Sequence, residues 1–310
     1  SWTRMAGLWE AMRASVAGYD PDKRSACGLT GGAAAKVEAA GVELSGAFVT
    51  QVMATALKVA ECNSCMGRIV AAPTAGASGV LPAVLLPVQA KYALSDEEIL
   101  RALYVSAGFG QVIATRASIA GAEGGCQAEV GSASAMAAAA LVHLLGGSPE
   151  QMAAACATAL QNLMGLVCDP VAGLVELPCV GRNVIGAMNA LSAAELALAG
   201  AASPIPCDEV IDAMRAVGDQ MPTALKETGG GGIAATPTGR RIAERDAVRT
   251  LPPNRRRPCL RLRRRTPQGI RPLLGHNCRG GGFCLATQRI KSAHAASKRE
   301  NVLSIAYRTR

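Results

Sequence analysis

Three observations predict a mostly α-helical protein. Half of the 310 residues are hydrophobic, yet only 3% are aromatic, so Ala, Val, Leu and Gly must fill the core. Small side chains favour close helix packing over a sandwich rich in aromatic and β-branched residues. Two segments open with helix-start grammar: Ser95-Asp-Glu-Glu98 has the spacing of a capping box, and Ser148-Pro149-Glu150-Gln151 repeats it with Pro149 at the first helical position. Alternating strand patterns are scarce, LVELPCV at Leu174–Val180 being the nearest. The expected architecture is a compact Ala/Gly-rich helical domain with irregular Gly/Pro loops and a disordered C-terminal tail.

The elements follow in order. SWTRMAGLWEAMRASV reads as an amphipathic helix with Trp9 and Met12 three apart, and not as a secretory signal. Gly-rich turns stand at GLTGG (28–32) and PTAGASG (73–79). Between them Val42 to Val59 reads as a helix with Phe48, Val52 and Leu57 on its apolar side. Further helices are expected from Ser95 through Tyr104, from Ser148 to about Leu163, from Asn183 to Leu198, and, as the last, from Cys207. Ile69–Ala90 and Gly131–Pro149 carry no Asp, Glu, Lys or Arg. Prolines break the first and Ala and Ser dominate the second, so buried helices are expected in place of membrane spans. The reading is of a cytoplasmic protein with reduced thiols.

The net charge of +9 averages two unlike segments: residues 1–239 carry −7 and residues 240–310 carry +16. After about Arg241, PPNRRRPCLRLRRRTPQGIRP has no hydrophobic periodicity and many Arg and Pro residues. The expected division is a domain over 1–243 and a basic low-complexity tail over 244–310, disordered because it cannot bury enough surface to offset chain entropy. Such composition resembles out-of-frame translation. A nucleic-acid-binding arm is the competing reading, and the tail's few aromatics count against it. The corresponding alternative function is a non-enzymatic acidic helical scaffold with an Arg-rich nucleic-acid arm.

Several chemistries are excluded. There is no P-loop and no G-x-S-x-G elbow, and GFGQVI at Gly108–Ile113 lacks the third glycine of a dinucleotide motif. The body holds one histidine, His143, near a helix end where it compensates the dipole. A Ser-His-Asp triad and a histidine-rich zinc site are thereby set aside. Of 11 cysteines, Cys62 and Cys65 form a C-x-x-C pair without a second pair or a βαβ context, and read as packing residues, as do Cys27, Cys156 and Cys207. Cys126, in AEGGCQAEVGSASA, and Cys168 and Cys179, bracketing CDPVAGLVELPC, stand in Gly/Pro-shaped surroundings that suit a cluster held by three thiolates. Their spacing alone matches no compact motif.

The strings GRIVAAPTAGASGVLPAVL, SIAGAEGGCQAEVGSASAMAAAA and GLVCDPVAGLVELPCVGRN resemble the α chain of bacterial iron–sulfur L-serine dehydratases. So do RSACGLTGG and KETGGGGIAATPTGRR, and the resemblance spans about residues 5–243. It implies a lyase that deaminates L-serine to pyruvate and ammonia without pyridoxal phosphate. It also implies a 4Fe–4S cluster on Cys126, Cys168 and Cys179 with one iron lacking a protein ligand, able to act as a Lewis acid. Thr74 and Ser78 are candidates for the substrate carboxylate, against a plain helix-entry loop. Lys36 and Arg68 are candidate catalytic cations, against surface salt bridges. No general base is legible, and a β chain, which the family carries, is a candidate source. A homo-oligomer is a further expected state; a membrane or nucleic-acid partner is not expected. Family α chains end near ATPTGRR, whereas this chain continues.

Overall fold

The computed structural model describes residues 1–41 and 44–250, the last four by backbone alone. The expected disorder of the tail, and Cys259, Cys278 and Cys284, lie outside the described residues. Among those residues the protein is helical: α1 Trp2–Ala17, α2 Ala33–Ala39, α3 Gly46–Ser64, α4 Val80–Tyr92, α5 Asp96–Arg116, α6 Gly121–Gly124, α7 Ser132–Leu144, α8 Pro149–Asn162, α9 Cys179–Leu198, α10 Cys207–Gln220 and α11 Pro237–Thr250. No described helix is long and apolar enough to cross a membrane.

The core is built around α7. Its sequence, SASAMAAAALVHL, is apolar on every side, and Ser132 to Val142 are all buried. A helix apolar all round belongs at the centre, and α7 packs against α4, α5, α8 and α9. One polar pin crosses this interior. Asn189 on α9 donates through Nδ2 to Ser134 Oγ on α7 and to the Ala159 carbonyl on α8, each at 2.9 Å. Its Oδ1 accepts from Asn162 Nδ2 at 2.8 Å. At the periphery, α1 buries Met5, Leu8, Trp9 and Met12 on one stripe. Its Trp9 indole and Arg13 guanidinium both donate to Asp96 at the start of α5, at 3.3 and 2.9 Å.

Both expected capping boxes form, at Ser95/Glu98 and Ser148/Gln151. Other boundaries differ. The helix after Ser95 runs on to Arg116 because Ser106 and Gly110 give α5 a small-residue face that lies buried; GFGQVI is interior to it. Leu174–Val180 is no strand: it turns and enters α9, which starts at Cys179 and not Asn183. The only bridge among the described residues joins Cys168 and Lys226. The helix from Cys207 is not the last, since α11 follows it and runs through Arg241.

Ala138 has no exposed surface, so Ala138→Leu should overpack α7 and cost about 1–3 kcal/mol. Ala216→Leu on the exposed side of α10 should stay within about 0.5 kcal/mol of wild type. Thermal unfolding checks this, and equal Tm values for the two variants would contradict the central role of α7.

Candidate metal centre

The centre is assembled from four segments brought to the N-terminal ends of α7 and α9. After α6, Gly125 adopts φ +77°, and Cys126 starts a π-helical turn, Gln127–Gly131, that runs directly into α7. Such turns recur at functional sites because they redirect side chains. Gln127 anchors this turn, donating to the Met214 carbonyl of α10 at 3.0 Å and accepting from the Gly165 amide at 2.8 Å. Cys168 lies on an extended piece whose amide donates to the Leu225 carbonyl and whose carbonyl accepts from Glu227 N, both at 2.8 Å. Cys179 is the first residue of α9. Asn183, one turn later, accepts from Gly79 N at 2.8 Å and donates to the carbonyls of Gly76 and Cys179 at 2.7 and 2.9 Å. It thereby fastens the Pro73–Gly79 loop to the start of α9.

The sulfurs of Cys126 and Cys168 and a carboxylate oxygen of Glu129 lie within 4.8 Å of one another. No other such group of His, Cys, Asp and Glu occurs among the described residues. Glu129 is half-buried, and Thr74 donates its hydroxyl to Glu129 Oε1. Cys179 is buried and does not join the 4.8 Å group, but it shares the electrostatic neighbourhood. Burial, then Glu129 and Cys126, push its thiol well above the usual range. Hydrogen bonding with Cys126, burial and the same carboxylate push up Cys168. Burial raises the Glu129 carboxyl, against the lowering influence of Thr74. Acidic groups crowded out of water resist ionisation, and a bound cation inverts that preference.

Two glycines make room. A Cβ on Gly121 would stand 2.9 Å from Cys168 Sγ and 3.3 Å from Glu129 Oε2; one on Gly76 would stand 2.6 Å from Glu129 Oε1. A buried ion pair flanks the group: Arg182 on α9 donates to Asp169 Oδ1 at 2.8 Å and through Nη1 to Cys126 Sγ at 3.2 Å. Soft thiols with one carboxylate suit iron–sulfur groups or zinc and not magnesium or calcium, so the donor chemistry fits the expected cofactor class.

The other expected site residues fall in different places. Thr74 is engaged with Glu129. Ser78 is 1% exposed and its hydroxyl has no hydrogen-bond partner. Lys36 is exposed on α2, and Arg68 is exposed after α3, lining a surface cavity with Tyr19, Glu61, Cys62 and Cys65. None of the three cysteines of the centre lines that cavity. Glu129, Asp169, Arg182 and Asn183 were not singled out from the sequence. The available signal was periodicity: Glu129 follows Cys126 by three, and Arg182 and Asn183 follow Cys179 by three and four, one helical turn in each case.

A helical body with a buried thiol–carboxylate group that could hold metal defines the class. Residues 1–234 match the model of the family described as "Serine dehydratase alpha chain". The chain is 56% identical over 224 residues to the "Probable L-serine dehydratase, alpha chain" of Bacillus subtilis, covering 71% of this chain and 75% of that one. It is 52% identical over 202 residues to the "L-serine dehydratase, alpha chain" of Peptoniphilus asaccharolyticus, covering 65% and 69%. Against the "L-serine dehydratase" of Mycobacterium tuberculosis it is 47% identical over 189 residues, 58% of this chain but 40% of that longer protein. The chain belongs to the serine dehydratase alpha chain family, as its motifs led one to expect.

Asn183→Ala should strand the Gly79 amide and the Gly76 carbonyl, costing about 1–3 kcal/mol for each group left buried without a partner. Gly121→Ala should instead displace Cys168 while the rest of the fold holds. Denaturant unfolding and metal uptake of both variants check this; unaltered metal uptake by Gly121→Ala would contradict the packing described.

Proposed function

We propose that this chain deaminates L-serine to pyruvate and ammonia, with a 4Fe–4S cluster held by Cys126, Cys168 and Cys179 and without pyridoxal phosphate. The observation that carries the reading is the buried approach of Cys126, Cys168 and Glu129, with Cys179 under the same charges, in a chain of this family. When bound, the cluster supplies a Lewis acid for the leaving hydroxyl.

The chain's own groups then have separate tasks. The Ser78 hydroxyl, buried and without a partner, donates a hydrogen bond to the serine carboxylate in the loop ahead of α4, and the Thr74 hydroxyl exchanges its Glu129 acceptor for the same carboxylate when serine binds. Before serine binds, Glu129 accepts the Thr74 hydroxyl and so holds that side chain in place. The exposed cations Lys36 and Arg68 add long-range attraction for a carboxylate. The longer single-chain relative and the "alpha chain" names of the others support a β chain as partner, and the group that takes the Cα proton is assigned to that chain. Eight described cysteines are free, which suits the reducing cytoplasm. Family membership does not favour the alternative of a non-enzymatic scaffold with a nucleic-acid arm.

The test is anaerobic reconstitution of the full chain, together with a β chain from a two-chain relative, followed by a pyruvate assay on L-serine. Activity should need iron and sulfide, fall in air, return with iron and a thiol reductant, and ignore added pyridoxal phosphate. Cys126→Ser, Cys168→Ser and Cys179→Ser should each lower both iron content and pyruvate formation. Activity that requires pyridoxal phosphate, or that persists in air with chelator, would contradict the proposal.

A further inference from the structure

One buried cation touches the segments that carry all three cysteines. Arg182 is 8% exposed, and its partner Asp169 is 2% exposed. Through Nη1 the guanidinium donates to Cys126 Sγ at 3.2 Å and to the Val167 carbonyl at 2.8 Å; through Nη2 it donates to Asp169 Oδ1 at 2.8 Å. Val167 and Asp169 flank Cys168, and Arg182 itself follows Cys179 by three residues on α9. The second Asp169 oxygen accepts from Ile233 N at 2.7 Å, which draws the KETGGGGIAA segment onto the same pair. A Cβ on Gly232 would stand 2.2 Å from that oxygen, so the residue at this turn must be glycine for the carboxylate to reach the backbone.

A buried guanidinium is costly to desolvate, and removing either member of such a pair leaves the other charge uncompensated. Arg182 has more to satisfy than its counter-ion, because its planar fork reaches a carboxylate, a carbonyl and a sulfur at once. A lysine, offering a point charge on a flexible stem, could not keep all three. The contacts of Arg182 are with the protein atoms that fix where the sulfurs stand.

We infer that Arg182 is the positioning residue of the centre: its guanidinium holds the three cysteine-bearing segments in register and, by an N–H···S bond to Cys126, tunes whatever cluster they bind. The inference rests on the cluster reading proposed above. Hydrogen bonds to cluster sulfurs and nearby charge set the reduction potential. Partners around the direct ligands commonly change metal affinity by about 10- to 100-fold. Removing the donor and its positive charge should therefore lower the potential and loosen the iron. Keeping the charge without the fork should do less.

The experiment uses the full chain as wild type, Arg182→Gln, Arg182→Lys and Asp169→Asn. Each is reconstituted anaerobically with iron and sulfide and checked for folding by far-ultraviolet circular dichroism. The readouts are iron and sulfide content, the midpoint potential of the cluster, and the rate of iron loss to a chelator. Arg182→Gln should shift the potential downward and lose iron about 10- to 100-fold faster, with Arg182→Lys between it and wild type. Asp169→Asn, which leaves the donor on Cys126 but frees the fork, should speed iron loss with a smaller shift in potential. If Arg182→Gln does not fold, Arg182→Lys and Asp169→Asn decide the matter by the same readouts. A loaded wild type whose folded variants match it in potential and iron loss overturns the role of Arg182 alone. A wild type that takes up no iron and sulfide overturns the cluster reading, and this inference with it.

Discussion

Close approach of helices to α7 is the constraint on which the rest of the structure depends. Alanine after alanine along Ser132–Leu144 lets α4, α5, α8 and α9 reach one central rod without large side chains to separate them. The density of such an interior leaves little freedom to shift. Because α7 continues the π-helical turn that starts beside Cys126, and because α9 starts at Cys179, the packing of two helices also sets where two of the thiols stand. Asn189, bonded to Ser134 and Ala159, holds that packing in one register.

Upon this frame the centre gathers groups that repel one another when charged. Cys126, Cys168, Cys179 and Glu129 are acidic or polarisable side chains in a place with little water, and the raised thiols of Cys168 and Cys179 and the raised Glu129 carboxyl express that crowding. Two features offset it. Arg182 supplies a fixed positive charge, itself balanced by Asp169. Gly76 and Gly121 let backbone approach Glu129 and Cys168, so the donor atoms face inward without steric conflict. A site of soft donors under such strain of charge is suited to a cation, and the family to which the chain belongs gives that cation a chemical context.

Much of the helical fold was legible because its signals are local. Ser95 with Glu98 and Ser148 with Gln151 announce helix starts within four residues, and both caps form. Legibility failed where tertiary packing overrode local preference. The helix from Ser95 was expected only through Tyr104, yet α5 runs on to Arg116 because its small-residue side is buried. Leu174–Val180 alternates like a strand, but Pro178 and the turn before it lead into α9. Cys126, Cys168 and Cys179 stood out weakly through their Gly/Pro-shaped surroundings, and their spacing gave no motif; the resemblance to a family supplied the role expected of them. Arg182 and Glu129 passed unnoticed because their partners are distant in sequence: Arg182 meets Cys126 across 56 residues, and Glu129 meets Thr74 across 55. Thr74 and Ser78 were singled out because a Gly-rich loop ahead of an apolar helix is itself a local pattern.

The central claim is that three thiols hold a cluster one of whose irons is left for substrate. Mössbauer spectroscopy of the full chain, reconstituted with iron-57 and sulfide, tests it most directly. The account predicts that about one iron in four differs from the rest, and that its signal alone moves when L-serine is added. Four equivalent irons indifferent to L-serine, or protein that takes up zinc but no sulfide, would contradict it.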